Sequence, residues 1–486
     1  MSDRTTIFVL FGATGDLSRR MVLPAVYDLF IRKLTPEHWA LVGNGRGDVS
    51  HDEFRDRTRE AVEEFGDRDV DDDHWREFAD RLWFAGGGFS PDDPGTLLDV
   101  LDTVAEDGDR ELVHYLALPP STYPMITEGL AAHHLLDDAK VVYEKPYGES
   151  LKSFRELDDL VHSVLDEDRI YRIDHFLGKE ATQNLHVLRF GNTMINKIWS
   201  AESVDQVQID APETLDVDER ADFYDATGAF KDMIATHLFQ VAGEVAMEPP
   251  ADLSAAGLQA AREEVLAAFR DLDPDDVVLG QYDGYRDVDT IADDSSTDSY
   301  AAVRLFIDTD RWRDVPFVLR SGKQLADDHQ LVTLIMKDPS GPINDLPGHA
   351  SRLETSLAGS GTISASLVLK RPGPNLELTE HKIDLSLAEV PDSEPLAPYA
   401  SLLYDVLAGD RSLFTSSACL EQAWRAAEPI LQNPPKPIAY PPGSWGPPEA
   451  DQLTGGFGWI SQQISQHEMA DSDPDERSSN DAGPAR

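Results

Sequence analysis

Thr5-Thr6-Ile7-Phe8-Val9-Leu10-Phe11-Gly12-Ala13-Thr14-Gly15-Asp16-Leu17 decides the fold of the first half of this chain. Residues 5–11 form a short β-branched and aromatic run, which reads as a buried strand. Two glycines follow at once, and an apolar-periodic stretch over residues 17–31 reads as a helix. A strand that enters a helix through Gly12 and Gly15 lets backbone approach a pyrophosphate, whose charge the helix N-terminus favours. Against the usual G-x-G-x-x-G spacing Leu10 stands at the first glycine position, so a tight turn without a ligand stays open on this pattern alone. Thr14 is a candidate hydroxyl donor, and Asp16 and Leu17 complete the candidate loop.

The pattern repeats outward. Residues 39–43, 112–118 and 140–144 are further aliphatic runs, separated by helical patterns that include residues 122–134 and 151–165. Strands alternating with helices predict an α/β, doubly wound parallel sheet of the Rossmann-like kind over residues 1–175. Enzymes that take NAD typically place an acid at the end of the second strand, on the ribose hydroxyls. Here that strand runs out as Val42-Gly43-Asn44-Gly45-Arg46. The acid is missing and Arg46 can reach a 2′-phosphate, which favours NADP, with NAD possible as a second cofactor.

Beyond residue 176 the periodicity changes. Residues 203–211, 299–307, 315–319, 331–336, 362–369 and 382–387 are strand-like, with hairpin-type connections. Residues 226–247, 254–269, 398–408 and 417–431 read as helices. This predicts an α+β domain over residues 176–465 on a large, mainly antiparallel sheet. Residues 466–486 are acidic and poor in large apolar groups, and are expected to be disordered.

A chain of 486 residues is long enough for two or three domains. Its 90 acidic against 42 basic residues give −48, a field that opposes nucleic acid and anionic membrane surfaces. The same field repels phosphorylated ligands, so a site for one needs local cations. Only about a dozen of the cations are lysines, and the acids are spread along the chain. That composition suggests a protein adapted to high salt, where screening removes self-repulsion; plain solubility is the other reading. Cys419 is the only cysteine, which excludes an intramolecular disulfide and fits the cytoplasm. No run of about 18 apolar residues and no leader pattern is present, so a soluble, unexported protein is expected.

The densest chemistry lies in Arg172-Ile173-Asp174-His175-Phe176-Leu177-Gly178-Lys179-Glu180, where a strand hands over to a helix expected over residues 179–190. His175 and Lys179 share one face if that helix starts early, and would grip a phosphate. Spacing alone favours a solvated ion-pair cluster. In the second half Phe230, Met233, Ile234, Leu238 and Val241 share a helix face with His237, which is either a satisfied core histidine or a proton acceptor.

These stretches together resemble, in order, the signatures of the glucose-6-phosphate dehydrogenase family. The resemblance rests on residues 11–17 and 172–180, Glu144-Lys145-Pro146, Asp232-Met233-Ile234 with His237, Gly322-Lys323, and residues 440–447. It covers nearly everything from about residue 5 to about residue 460. It implies oxidation of D-glucose 6-phosphate at C1 to a lactone, with NADP, in the oxidative pentose phosphate pathway. His237 would be the base and Asp174 the partner of its imidazole. His175 and Lys179 would clamp the phosphate. Lys145, with a Pro146 that is often cis in this motif, would serve sugar and cofactor. Lys323, Glu213 and Asp232 would contact the sugar. No metal is implied. The family's large sheet forms a dimer interface, so a homodimer or homotetramer is expected.

Three departures stand out: Met21 in place of a basic residue, Phe176 in place of Tyr, and a shorter, Pro-rich stretch over residues 369–380. The rival readings are a nicotinamide-dependent dehydrogenase of another sugar or sugar phosphate, of which a free-sugar enzyme would have no use for the His175–Lys179 clamp, and a catalytically silent sugar-phosphate-binding relative. A catalytically silent relative would have lost His237 or Asp174, and both are present.

Overall fold

The computed structural model describes residues 4–105, 109–217, 220–341, 343 and 351–472. The chain separates into two compact units. The first comprises the chain up to Gln183 together with Met247–Ala267 and Glu394–Arg425, segments that a linear boundary near residue 175 does not capture. The second comprises Asn184–Ala246, Ala268–Ser393 and the chain from Ala426 onward.

The first unit holds a six-stranded, wholly parallel sheet. Its strands are β1 Thr5–Phe11, β2 Trp39–Asn44, β3 Leu82–Ala85, β4 Arg110–Leu116, β5 Lys140–Tyr143 and β6 Ile170–Arg172, in the order β3-β2-β1-β4-β5-β6. Helices connect successive strands, as the alternating pattern predicts. Phe8, Leu10, Leu41, Val113 and Val142 belong to the unit's buried core, and Tyr27 meets Phe78 edge-on at 5.1 Å within it. The helix after β1 opens with a π-helical turn, Ser18–Val22, before Leu23–Ile31. Met21 lies exposed on that turn.

The second unit is built on nine strands: β7 Val204–Pro212, β8 Val277–Tyr282, β9 Tyr300–Leu305, β10 Phe317–Gly322, β11 Leu331–Met336, β12 Arg352–Ser356, β13 Thr362–Lys370, β14 Leu378–Ser386 and β15 Ile438–Tyr440. Their order is β14-β13-β12-β11-β7-β10-β9-β8-β15. All neighbours are antiparallel except β7 with β10 and β8 with β15. The long helix expected over residues 226–247 is three consecutive pieces: Ala221–Ala229, a π-helix Phe230–Leu238, and Phe239–Ala246. The π-helix lies against β9 and β10. The helix Ile460–Ser472 reaches into the segment expected to be disordered, whose remainder lies outside the described residues.

β13 and β14 carry an inverted pattern. Side chains alternate across a strand, and here the buried face holds Ser364 and Ser366 while the other face leaves Leu367, Leu369, Ile383 and Leu385 exposed. On the buried face Glu354 receives Arg352 (2.5 Å) and Lys382 (2.9 Å).

Candidate active site

In the first unit the loop after β1 lines a cleft of about 630 Å³ with Gly12, Thr14, Gly15, Arg46, Gly88 and Asp93 among its walls. Gly12 has φ +78°, and a Cβ there would lie 2.2 Å from the Ala117 carbonyl oxygen, so only glycine fits. Its N–H donates to Asn44 O (2.9 Å), and Ser18 Oγ donates to Gly12 O (2.9 Å). The glycine thus lets the turn after β1 pack against the backbone that follows β4.

Asn44, at the end of β2, turns inward instead of facing a ligand. Its Nδ2 donates to Ala85 O (3.1 Å) and Gly88 O (3.3 Å). Arg46 is the exposed cation on the cleft, and among the described residues it has no ion-pair partner. Asp16 pairs with Arg20 one turn on (2.8 Å) and Leu17 packs on the core; neither lines the cleft. Sequence reasoning missed the opposite wall. Residues 86–88 are three glycines directly after β3, and they knit to the Arg46 turn through Gly88 N–H to Gly45 O (3.0 Å) and Gly87 N–H to Gly47 O (3.2 Å). The signal was there: a short apolar run ending in Gly-Gly-Gly.

β5 leads into Glu144-Lys145-Pro146, and the Lys145–Pro146 peptide is cis, as the motif suggests. Glu144 is buried, and burial raises its pKa. Tyr115 OH donates to its carboxylate (2.5 Å) and Tyr123 OH to its carbonyl (2.9 Å), which fixes the backbone that presents the half-buried Lys145.

β6 ends on Arg172, whose buried guanidinium bonds Glu167 (2.9 and 3.0 Å) and Asp158 (2.8 Å). The next helix begins at Glu180, so His175 and Lys179 sit in the turn before it rather than on one helical face. Asp174 is buried and its Oδ1 accepts the Phe176 N–H (2.9 Å), an Asx-type turn that shapes the junction. The Phe176 ring lies 4.0 Å from Lys179 Nζ, a cation–π contact. His175 and Lys179 are both half-buried and accessible.

In the second unit β7 and β10 run parallel with Pro212 opposite Gly322, so the next residues, Glu213 and Lys323, emerge side by side. They form an ion pair. Lys323 Nζ lies 5.6 Å from the ring of Tyr224, a buried residue that the sequence reading did not single out. The Tyr224 phenol is pushed well above its ordinary pKa, first by burial and then by the nearby charges of Asp232, Asp298 and Glu213. The Glu213–Lys323 ion pair thus stands beside the Tyr224 ring.

Asp232 and His237 both lie on the π-helix, and His237 is fully buried among Phe230, Met233, Ile234 and Leu238. Thr236 Oγ1 donates to Lys231 O (2.8 Å), and the Phe239 N–H reaches back five residues to Ile234 O. Such widened turns recur at functional sites, because they re-aim a side chain relative to an α-helix.

Residues 9–184 match the family model described as glucose-6-phosphate dehydrogenase, NAD binding domain. Residues 186–459 match glucose-6-phosphate dehydrogenase, C-terminal domain. The chain is 35% identical over 474 residues to glucose-6-phosphate 1-dehydrogenase 1 of Mycobacterium tuberculosis, covering 94% of this chain and 96% of that one. It is 34% identical over 490 residues to the glucose-6-phosphate 1-dehydrogenase of Treponema pallidum, covering 93% of each. Among solved structures, glucose-6-phosphate 1-dehydrogenase from Mycobacterium avium aligns with TM-score 0.83 at 35% identity, over 94% of this chain and 99% of that one. A glucose-6-phosphate dehydrogenase in complex with its substrate glucose-6-phosphate aligns with TM-score 0.86 at 29% identity, over 94% and 98%.

Proposed function

The chain belongs to the glucose-6-phosphate dehydrogenase family, and we propose that it oxidises D-glucose 6-phosphate at C1 to 6-phospho-D-glucono-1,5-lactone, with NADP as hydride acceptor. The observation that carries this reading is the Glu213–Lys323 ion pair beside the Tyr224 ring, with Asp232 and His237 together on one π-helix.

In this reading Glu213, Asp232 and Lys323 hold the sugar hydroxyls, and Lys145 holds the end of the sugar that reacts. His175 and Lys179 hold the phosphate; a charge-assisted contact there contributes about 1.5–3 kcal/mol. His237 accepts the proton of the C1 hydroxyl while C1 loses its hydride. Asp174 orients the imidazole and stabilises its charged form, as in other acid–histidine pairs. Gly12, Thr14 and Gly15 receive the dinucleotide backbone. Arg46, free of ion pairs among the described residues, is a ready partner for a 2′-phosphate, which supports NADP over NAD. Asp16 and Leu17 serve by shaping the loop.

The exposed apolar face of β13 and β14 supports a homodimer, or a homotetramer built from such dimers. No helix among the described residues is long and apolar enough to cross a membrane. A lone, buried Cys419 is in keeping with a cytoplasmic setting, and the charge of −48 with adaptation to high salt.

Initial rates with glucose 6-phosphate and glucose, each with NADP and NAD, test the reading. Turnover should be fastest with the phosphorylated sugar and NADP. His237→Asn should lower kcat at least about 10²-fold with little change in sugar binding. Near-normal turnover of that folded variant would remove His237 from the mechanism.

A further inference from the structure

We infer that residues 295–299 are the positioning element of the second unit's sugar- and proton-handling groups, with Asp298 the positioning residue for the helix that carries Asp232 and His237. The inference rests on the roles just proposed for Asp232, His237 and Lys323, and it adds a segment that those roles do not include.

The π-helix starts at a break. Gly228 has φ 73° and ψ 164°, which removes the regular helical bonds at that point. Asp298 closes the gap from another part of the chain. Its Oδ2 accepts the Phe230 N–H (2.6 Å) and its carbonyl accepts the Ala229 N–H (2.8 Å). An anionic acceptor at the start of a helix is also favoured by the helix dipole. The carboxyl is kept close by geometry, since a Cβ at Gly228 would lie 2.6 Å from Asp298 Oδ1.

The neighbours of Asp298 hold the other side of the break. Thr297 Oγ1 donates to Asp225 O (2.7 Å) and Ser295 Oγ to Asp225 Oδ1 (2.5 Å). Ser299 turns toward the lysine. Its carbonyl accepts the Lys323 N–H (2.9 Å), and its hydroxyl meets Tyr440 OH (3.1 Å), which donates to Lys323 O (2.7 Å). Four residues of this segment, Ser295, Thr297, Asp298 and Ser299, therefore set the register of the π-helix and of Lys323 together. Misplacing a reacting group by about 1 Å can cost about 10²-fold in rate, so the anchor has leverage on turnover beyond its share of stability.

The test uses the full chain, with Asp298→Ala, Asp298→Asn and Thr297→Val. Asparagine keeps an oxygen for the Phe230 N–H; alanine keeps none. Asp298→Ala should lower kcat about 10- to 100-fold at saturating ligands. NADP affinity, followed by fluorescence titration, should stay within about twofold of wild type, because its cleft lies in the first unit. Asp298→Asn should recover kcat to within about threefold of wild type, and Thr297→Val should lower kcat several-fold. An Asp298→Ala enzyme within about twofold of wild-type kcat overturns the inference. So does an asparagine variant as impaired as alanine, since charge rather than placement would then matter. If Asp298→Ala does not fold, an unchanged kcat in Thr297→Val has the same force. A wild-type chain that does not oxidise glucose 6-phosphate would overturn the proposed function itself, and this inference with it.

Discussion

Ile383→Asp should split the enzyme into monomers that still fold. Ile383 sits opposite Ala365, and Leu385 opposite Ile363, on the face of β13 and β14 that also presents Leu367 and Leu369. Relative exposures are 55% for Ile383, 53% for Leu385, 43% for Leu367 and 46% for Leu369. Full burial of such a side chain contributes about 1.5–3 kcal/mol, so covering the exposed half contributes about 1 kcal/mol each. In a two-fold dimer the same patch appears on both protomers, which makes eight side chains and about 8 kcal/mol of gross apolar drive.

The substitution removes about 2 kcal/mol of that drive per dimer and puts two carboxylates into the contact, each costing several kcal/mol to desolvate. A loss of at least about 4 kcal/mol raises the dimer dissociation constant about 10³-fold. Sedimentation velocity at micromolar protein should show dimers for wild type and monomers for Ile383→Asp, with the thermal transition of the monomer still cooperative. Met194→Asp, an exposed apolar position elsewhere in the same unit, is the control and should remain dimeric. A folded Ile383→Asp protein with an unchanged dimer constant would show that this face is not the interface.

Lys179→Ala should raise KM for glucose 6-phosphate about 10- to 100-fold, the equivalent of one charge-assisted contact, and leave turnover of free glucose nearly unchanged; equal losses for both sugars would assign Lys179 another role. Arg46→Ala should raise KM for NADP and leave KM for NAD roughly unchanged, and a parallel loss for both would make Arg46 structural. Gly228→Ala should destabilise the protein by about 1–3 kcal/mol through backbone conformation alone, and by more through the Asp298 contact; a thermal midpoint equal to wild type would mean the helix break is not held as described. Raising KCl from about 0.05 M to above 1 M shortens the Debye length to about 3 Å, so the thermal midpoint and kcat/KM should both rise; a flat or falling midpoint would give the acidic surface another cause.

The first sheet was largely legible because its strands are continuous apolar runs between helical patterns. β1 and the glycine turn after it emerge where residues 5–15 place them. Four strands escaped: β3, β8, β12 and β15. Each is six residues or fewer, and β15 has three, Ile438–Tyr440, between prolines. Such strands exist because neighbours pair with them, and pairing partners are not a local property.

The inverted face of β13 and β14 hid in another way. Alternation was readable, but which face is buried depends on Arg352, Glu354 and Lys382 being paired on it, and only the fold brings these together. The same limit applies to the site. The apolar face around His237 follows a 3.6-residue period, and a π-helical turn adds a single residue to that register, too small an offset to read from five apolar positions. Its cause is remote: a glycine at 228 and an aspartate at 298. Asp298 lies in Asp293-Asp294-Ser295-Ser296-Thr297-Asp298-Ser299, which by composition is a solvated loop in a chain full of acids. What separates Asp298 from its neighbours is two backbone N–H groups that have lost their helical acceptors, and that demand exists only once the helix has broken. Residues proposed to carry chemistry stand out by type and motif; residues that hold them in place are defined by the unmet bonds of others.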